Sequence, residues 1–196
     1  DDINLSQTFK FFAASNRMFN EVIWFYASSS SEEIDRYAKF NYLEGTWDIG
    51  SLSRTAWIDY GVNDYPRAAG TAGGSNYIYN HELGDTDDGS AMTSFIESSD
   101  FDLDPAGEQF MFLTRLIPDI DITTDTSATV DYIIKTRNYP GDTLATNSTN
   151  AVSSTTQQTF LRARARQASV RIQSSATDIA WTLGDLRLEA RPDGKR

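Results

Sequence analysis

Ala128-Thr-Val-Asp-Tyr-Ile-Ile-Lys-Thr-Arg137 alternates along its length between two sets of side chains. In an extended chain Ala128, Val130, Tyr132 and Ile134 share one face, while Thr129, Asp131, Ile133 and Lys135 share the other. Successive Cβ atoms of a strand point to opposite sides, so this period of two predicts a strand with one face turned to a core. A helix would scatter both sets around its axis. The same period recurs in Phe160-Leu-Arg-Ala-Arg-Ala-Arg166, where Arg162, Arg164 and Arg166 face one way and Leu161, Ala163 and Ala165 the other.

Working outward, further strands are predicted over residues 20–27, 34–42, 46–49, 54–60, 76–80, 92–98, 109–118, 160–173 and 179–190. These stretches are rich in β-branched and aromatic residues and are bounded by Gly, Pro, Asn and Asp. Leu43-Glu44-Gly45 and Pro140-Gly141-Asp142 read as turns, and residues 70–74 as a loop. Residues 143–159 are mostly Thr, Ser, Asn and Gln, which predicts a long polar loop. No stretch supports a helix longer than two turns. Asn20 and Asn76 each open an aromatic strand, a weak recurrence of the kind that propeller blades show. The expected fold is all-β: partial β-propeller blades over residues 1–98, then a sandwich-like platform over 99–196.

Composition excludes several chemistries. The 196 residues contain no Cys and one His, which removes disulfides, thiolate catalysis and a multi-His metal site within one chain. The longest apolar run, Val22-Ile-Trp-Phe-Tyr-Ala27, is far short of the about 20 residues that a helical membrane span needs. Ser-His-Asp catalysis would have to use His81, and no Gly-x-Ser-x-Gly elbow is present. The chain is expected not to be an enzyme and to need no cofactor or metal. Trp24, Trp47, Trp57 and Trp181 all fall in strand patterns and are expected in the core.

The net charge is −11 and uneven. Residues 82–108 hold nine acids and no Lys or Arg, whereas residues 160–196 hold eight basic residues and four acids. Asp100, Asp102 and Asp104 place three carboxylates on one face if extended, either as a cation site or as an exposed acidic turn ending at Pro105; the turn is favoured because no EF-hand pattern surrounds them. Arg162, Arg164 and Arg166, with Arg171 beyond, repel one another unless anions lie opposite. They predict pairing within the domain, a subunit interface, or a phosphate-facing surface. The alternation makes Arg164→Ala the costlier change and Arg171→Ala the milder one.

A family resemblance runs through residues 20–196. Tyr42 to Trp47 followed by Arg54-Thr-Ala-Trp-Ile-Asp-Tyr-Gly61, then Tyr79-Asn-His-Glu82 and Asp87-Asp88-Gly89-Ser-Ala-Met92, resemble successive segments of short-tailed bacteriophage tail nozzle proteins, also called tail tubular protein B. Phe95-Ile-Glu-Ser98 and Phe110-Met-Phe112 with Pro118-Asp119 are similar to its next strand pair. Arg164-Ala-Arg-Gln167, Val170-Arg-Ile172, Trp181-Thr-Leu-Gly184 and Arg191-Pro-Asp-Gly194 resemble the C-terminal part of that family. The resemblance implies a homohexameric ring in the virion tail, beneath the portal and its adaptor protein. Such a ring carries double-stranded DNA through its channel without sequence-specific binding and seats tail fibres. The alternative is a carbohydrate-binding or carbohydrate-cleaving β-protein of a host-surface tail component.

Overall fold

The computed structural model describes residues 2–72, 75–104, 107–123 and 128–195. It is all-β, built from antiparallel sheets, and among the described residues none of them closes into a barrel. The chain divides into two units, residues 1–83 and 84–196.

In the first unit a short 3-10 helix, Leu5–Lys10, precedes β1 (Phe12–Asn16), β2 (Glu21–Tyr26), β3 (Arg36–Asn41) and β4 (Thr46–Ser51). These four strands form a sequential antiparallel meander, the strand order of a propeller blade. β2 buries Ile23 and Phe25 on one side, as its period of two requires. Phe12 stacks on Phe25 at 4.7 Å and Trp57 lies against it at 5.8 Å. Gly45, with φ of 71°, closes the β3–β4 hairpin in a conformation that favours glycine. Asn16 is fully buried, and its Nδ2 donates to Glu21 and Glu82, while Lys39 pairs with Glu21 at 3.0 Å.

β5 (Ala56–Ile58), β6 (Arg67–Ala72) and β7 (Ser75–Asn80) form a three-stranded antiparallel sheet. Residues 70–72, expected in a loop, thus belong to a strand; Gly73 and Gly74 lie outside the described residues. A Cβ at Gly70 would sit 2.8 Å from the backbone oxygen of Ser53. Because backbone cannot swing aside as a flexible side chain does, Gly70→Ala is expected to cost about 1–3 kcal/mol. Urea unfolding of the variant measures it, and an unchanged midpoint would show that the strand shifts freely.

The second unit contains β8 (Ser94–Glu97), β9 (Phe101–Asp102), β10 (Met111–Ile117), β11 (Ile120–Ile122), β12 (Val130–Arg137), β13 (Ala145–Val152), β14 (Thr159–Ala165), β15 (Gln167–Ser174), β16 (Trp181–Leu183) and β17 (Arg187–Pro192). Three sheets result: β13-β12-β15-β8 with β9 beside β15, β14-β10-β17, and the pair β11-β16. Their inner faces share one core of Met111, Leu113, Leu116, Val130, Tyr132 and Ile134 with further apolar neighbours. The face of Val130, Tyr132 and Ile134 is the one the alternation predicts, and all three are fully buried.

Three expectations need correction. The unit boundary falls at 83/84 rather than 98/99, because β8 pairs in register with β15 and so belongs to the second sheet system. The polar loop expected over 143–159 contains a strand: β13 pairs along β12, with Val152 fully buried. Backbone hydrogen bonds to β12 hold that edge strand, so it does not need an apolar sequence. The single strands expected over 160–173 and 179–190 are each two strands in two sheets, with the changes of sheet at Arg166 and between Leu183 and Arg187.

Candidate interaction surface

The sheet β14-β10-β17 carries the arginine row. Leu161, Ala163 and Ala165 are buried in the core, so Arg162, Arg164 and Arg166 must project from the opposite face. β10 lies between the other two strands, with Phe112 opposite Arg164 on one side and Arg191 on the other. A bulge between Leu113 and Arg115 shifts the register on both sides. Beyond it, Arg115 pairs with Glu189 at 2.9 Å and donates to Gln158. Arg187 lies opposite Ile117, and its side chain is exposed. The outer face therefore gathers Arg115, Arg162, Arg164, Arg166, Arg187 and Arg191 against Glu189 and Asp193.

Aromatic rings lie beside several of these guanidinium groups. Arg164 lies 4.0 Å from the Phe110 ring centroid, Arg166 lies 4.7 Å from Phe110 and 5.4 Å from Tyr139, and Arg191 lies 5.2 Å from Phe112. Such cation–π contacts fix a side chain that would otherwise be mobile. Arg164 also forms an ion pair with Asp193 and donates to the Asp193 carbonyl, and Arg166 donates to the carbonyl of Lys195. Phe110 and residues 193–194 exchange backbone hydrogen bonds, Phe110 N to Gly194 O at 2.7 Å and Asp193 N to Phe110 O at 2.8 Å. Three segments far apart in sequence, Phe110-Met-Phe112, Arg164-Ala-Arg-Gln167 and Arg191-Pro-Asp-Gly194, thus meet at one end of one sheet. Among the described residues, Arg162 and Arg187 make no ion pair.

Arg171 does not join this face. It projects from β15 in the five-stranded sheet, where it pairs with Glu97 at 3.1 Å, donates to Gln173 and lies 3.7 Å from the Phe95 ring centroid. Glu97 also holds Lys135 at 2.6 Å. The hydrogen bond from Lys135, with that from Arg171, holds the Glu97 carboxyl below its ordinary value. The Arg171 side chain is 22% exposed against 40% for Arg164, which reverses the order of cost read from the alternation. Arg171→Ala is expected to cost about 1–2 kcal/mol, since it leaves a partly buried carboxylate short of one donor. Arg164→Ala is expected to cost under about 1 kcal/mol, as exposed pairs do. Side-by-side urea melts of the two variants check the order; a costlier Arg164 change would contradict it.

The acidic residues are dispersed. Asp100 pairs with Arg137, and Asp102 accepts from Gln167. Asp104 accepts the Gly107 amide through its carbonyl, and Pro105 lies outside the described residues. Among the described residues no group of three carboxylates or imidazoles is placed to hold a metal ion. Glu108 pairs with Lys195. Asp87 and Ser90 exchange backbone hydrogen bonds at 2.9 Å, and Asp88 and Gly89 between them both have positive φ. That is a tight primed turn, the geometry that an Asp-Gly pair favours. Asp87 and Asp88 are exposed on it.

In the first unit the structure gathers Arg54, Trp57, Tyr79 and His81. Arg54 Nε donates to His81 Nε2 at 3.0 Å, Arg54 lies 4.0 Å from the Tyr79 ring, and Trp57 packs on His81 at 4.8 Å. Two tryptophans depart from the expected core positions. Trp47 is 65% exposed and Trp24 39%, stacked at 5.6 Å on the open side of the β1–β4 sheet. They sit on the face that β2 turns away from Ile23 and Phe25. A groove of about 480 Å³ is lined by Trp24 with Ile3, Phe11, Ala13, Tyr26 and Ala38, among others.

Sequence reading found three of the six arginines on the basic face. Arg187 and Arg191 do alternate around Leu188 and Ala190, a signal that was present but short. Arg115 reaches the face only through the bulge. In comparisons with known proteins the chain matches no protein-family model and no curated protein.

Proposed function

We propose that this chain is a structural component of a bacteriophage tail, a nozzle subunit that forms a hexameric ring around the DNA ejection channel and seats tail fibres. The observation that carries the reading is the meeting of the resembling segments. Phe110, Arg164 and Asp193 build one joint, and Arg54, Trp57, Tyr79 and His81 build another. Side chains spent on stacking and ion pairs shape a rigid scaffold, and the reading includes no catalytic step. The mechanism is geometric and electrostatic. A chain of net charge −11 keeps DNA off its surface, so passage is not slowed by phosphate contacts. Antibodies raised against the chain test the reading on phage particles by electron microscopy. Label at the tail tip supports it, and label confined to capsid or host debris refutes it.

The stacked pair Trp24 and Trp47 favours a second reading, a carbohydrate-binding surface, because exposed aromatic rings offer sugars a flat apolar platform. Oligosaccharides that quench tryptophan fluorescence in wild type and not in Trp47→Ala would support it.

A further inference from the structure

We infer that the arginine face of one copy docks the acidic turn of a second copy, head to tail. The contact rests on the ring reading above and names the surfaces that make it. Among the described residues six arginines lie on the outer face of β14-β10-β17 against two carboxylates, Glu189 and Asp193, and both carboxylates are already engaged by Arg115 and Arg164. Arg162 and Arg187 are exposed and make no ion pair among the described residues. The same unit carries the primed turn of residues 87–90, whose Asp87 and Asp88 are exposed and pair with no Lys or Arg among the described residues.

Part of each feature is held before contact. Phe110 and Phe112 hold Arg164, Arg166 and Arg191 on the same face as the two unpaired arginines, and reciprocal backbone hydrogen bonds hold the turn. Preorganised groups lose little conformational freedom on docking. Each side also has an apolar element beside its charges: Phe160 is 74% exposed on the arginine face, and Met92, 48% exposed, follows the turn by two residues. A sulfur against a ring edge supplies the dry centre that a charged rim requires. Among the described residues no ion pair joins the turn to the face within one copy, which leaves the charges of both free to meet across copies. Because the two surfaces differ, the contact is heterologous, and repeated heterologous contacts close into a ring when the rotation allows. The arrangement also takes the arginines out of the reach of passing DNA, which an ejection channel requires.

Two variants of the full chain test the contact. The first carries Arg162→Glu and Arg187→Glu; the second carries Asp87→Asn and Asp88→Asn, neutral changes that put no new cation opposite the reversed face of the first variant, asparagine also tolerating the positive φ at position 88. Analytical ultracentrifugation at low salt is expected to show association of wild type and at least about tenfold weaker association of each variant alone. Mixed together they retain one intact contact, the acidic turn of the first on the arginine face of the second. The mixture is therefore expected to form one-to-one pairs that grow no further. Circular dichroism confirms that both variants fold. If wild type assembles and both variants assemble equally well, the inference is wrong and the ring reading stands. If both variants fail and the mixture forms no pair, the inference is also wrong. Wild type that stays monomeric at every concentration overturns the inference and the ring together. Duplex DNA bound through Arg162 and Arg187, with assembly unaffected by either variant, would assign the face to a polyanion instead.

Discussion

Leu116→Ala is expected to lower folding stability by about 3–5 kcal/mol. Leu116 is fully buried in β10, the middle strand of β14-β10-β17. Its inner face meets the core that Val130, Tyr132 and Ile134 supply from the five-stranded sheet. Removing the isobutyl group forfeits its transfer energy and leaves a cavity. The two sheets cannot close over that cavity, because β10 is hydrogen-bonded on both edges. Urea unfolding should show a lower midpoint with an unchanged slope. Leu43→Ala, at a position 72% exposed in the β3–β4 turn, is the control and should stay within about 0.5 kcal/mol of wild type. Near-equal melts for the two variants would show that the second unit has no close-packed core.

Tyr132→Phe is expected to change the alkaline stability profile. Tyr132 is fully buried, and its hydroxyl finds no hydrogen-bond partner among the described residues. Burial pushes its phenol up to about 12, with the nearby Asp119 charge adding to the effect. The folded protein therefore favours the neutral phenol, whereas the unfolded chain ionises near 10. This preference for the folded state is intact below pH about 10 and is lost as pH rises toward 12, which costs wild type about 2–3 kcal/mol over that window. Phenylalanine has no proton to lose, so the variant should keep the stability that wild type loses. At neutral pH the variant should match wild type or exceed it by up to about 1–2 kcal/mol, because an unpartnered buried hydroxyl has been removed. Guanidinium melts from pH 7 to 11.5 measure both effects. A variant that falls in parallel with wild type above pH 10 would mean that another group governs the alkaline limb.

The parts of the fold legible in the sequence are those where one chain segment carries the whole signal. Residues 128–137 alternate because one face of β12 is buried, and the arginine row alternates because Leu161, Ala163 and Ala165 fill the core. What was not legible depends on partners distant in sequence. β13 holds its place through the backbone of β12, so its Thr, Ser and Asn residues read as a loop. β8 belongs to the second unit only because β15 accepts it. The break at Arg166 does leave a trace in the sequence, because the apolar set moves there from odd positions, Leu161, Ala163 and Ala165, to even ones, Ala168, Val170 and Ile172. Trp47 looked like a core residue, since strand pattern alone cannot say which face of an edge strand is covered. At the candidate surface the row on β14 was visible. The contribution of Arg115, Arg187 and Arg191 needed the register of β10 and β17, and the assignment of Arg171 to another sheet needed the topology.

We propose that this chain works as a closed six-fold ring. The most direct measurement is the native mass of the purified particle. One dominant species of six copies is expected, six times the 21.9 kDa of this chain, that dissociates as salt screens the contact between arginine face and acidic turn. A monomer at every concentration and ionic strength would contradict it.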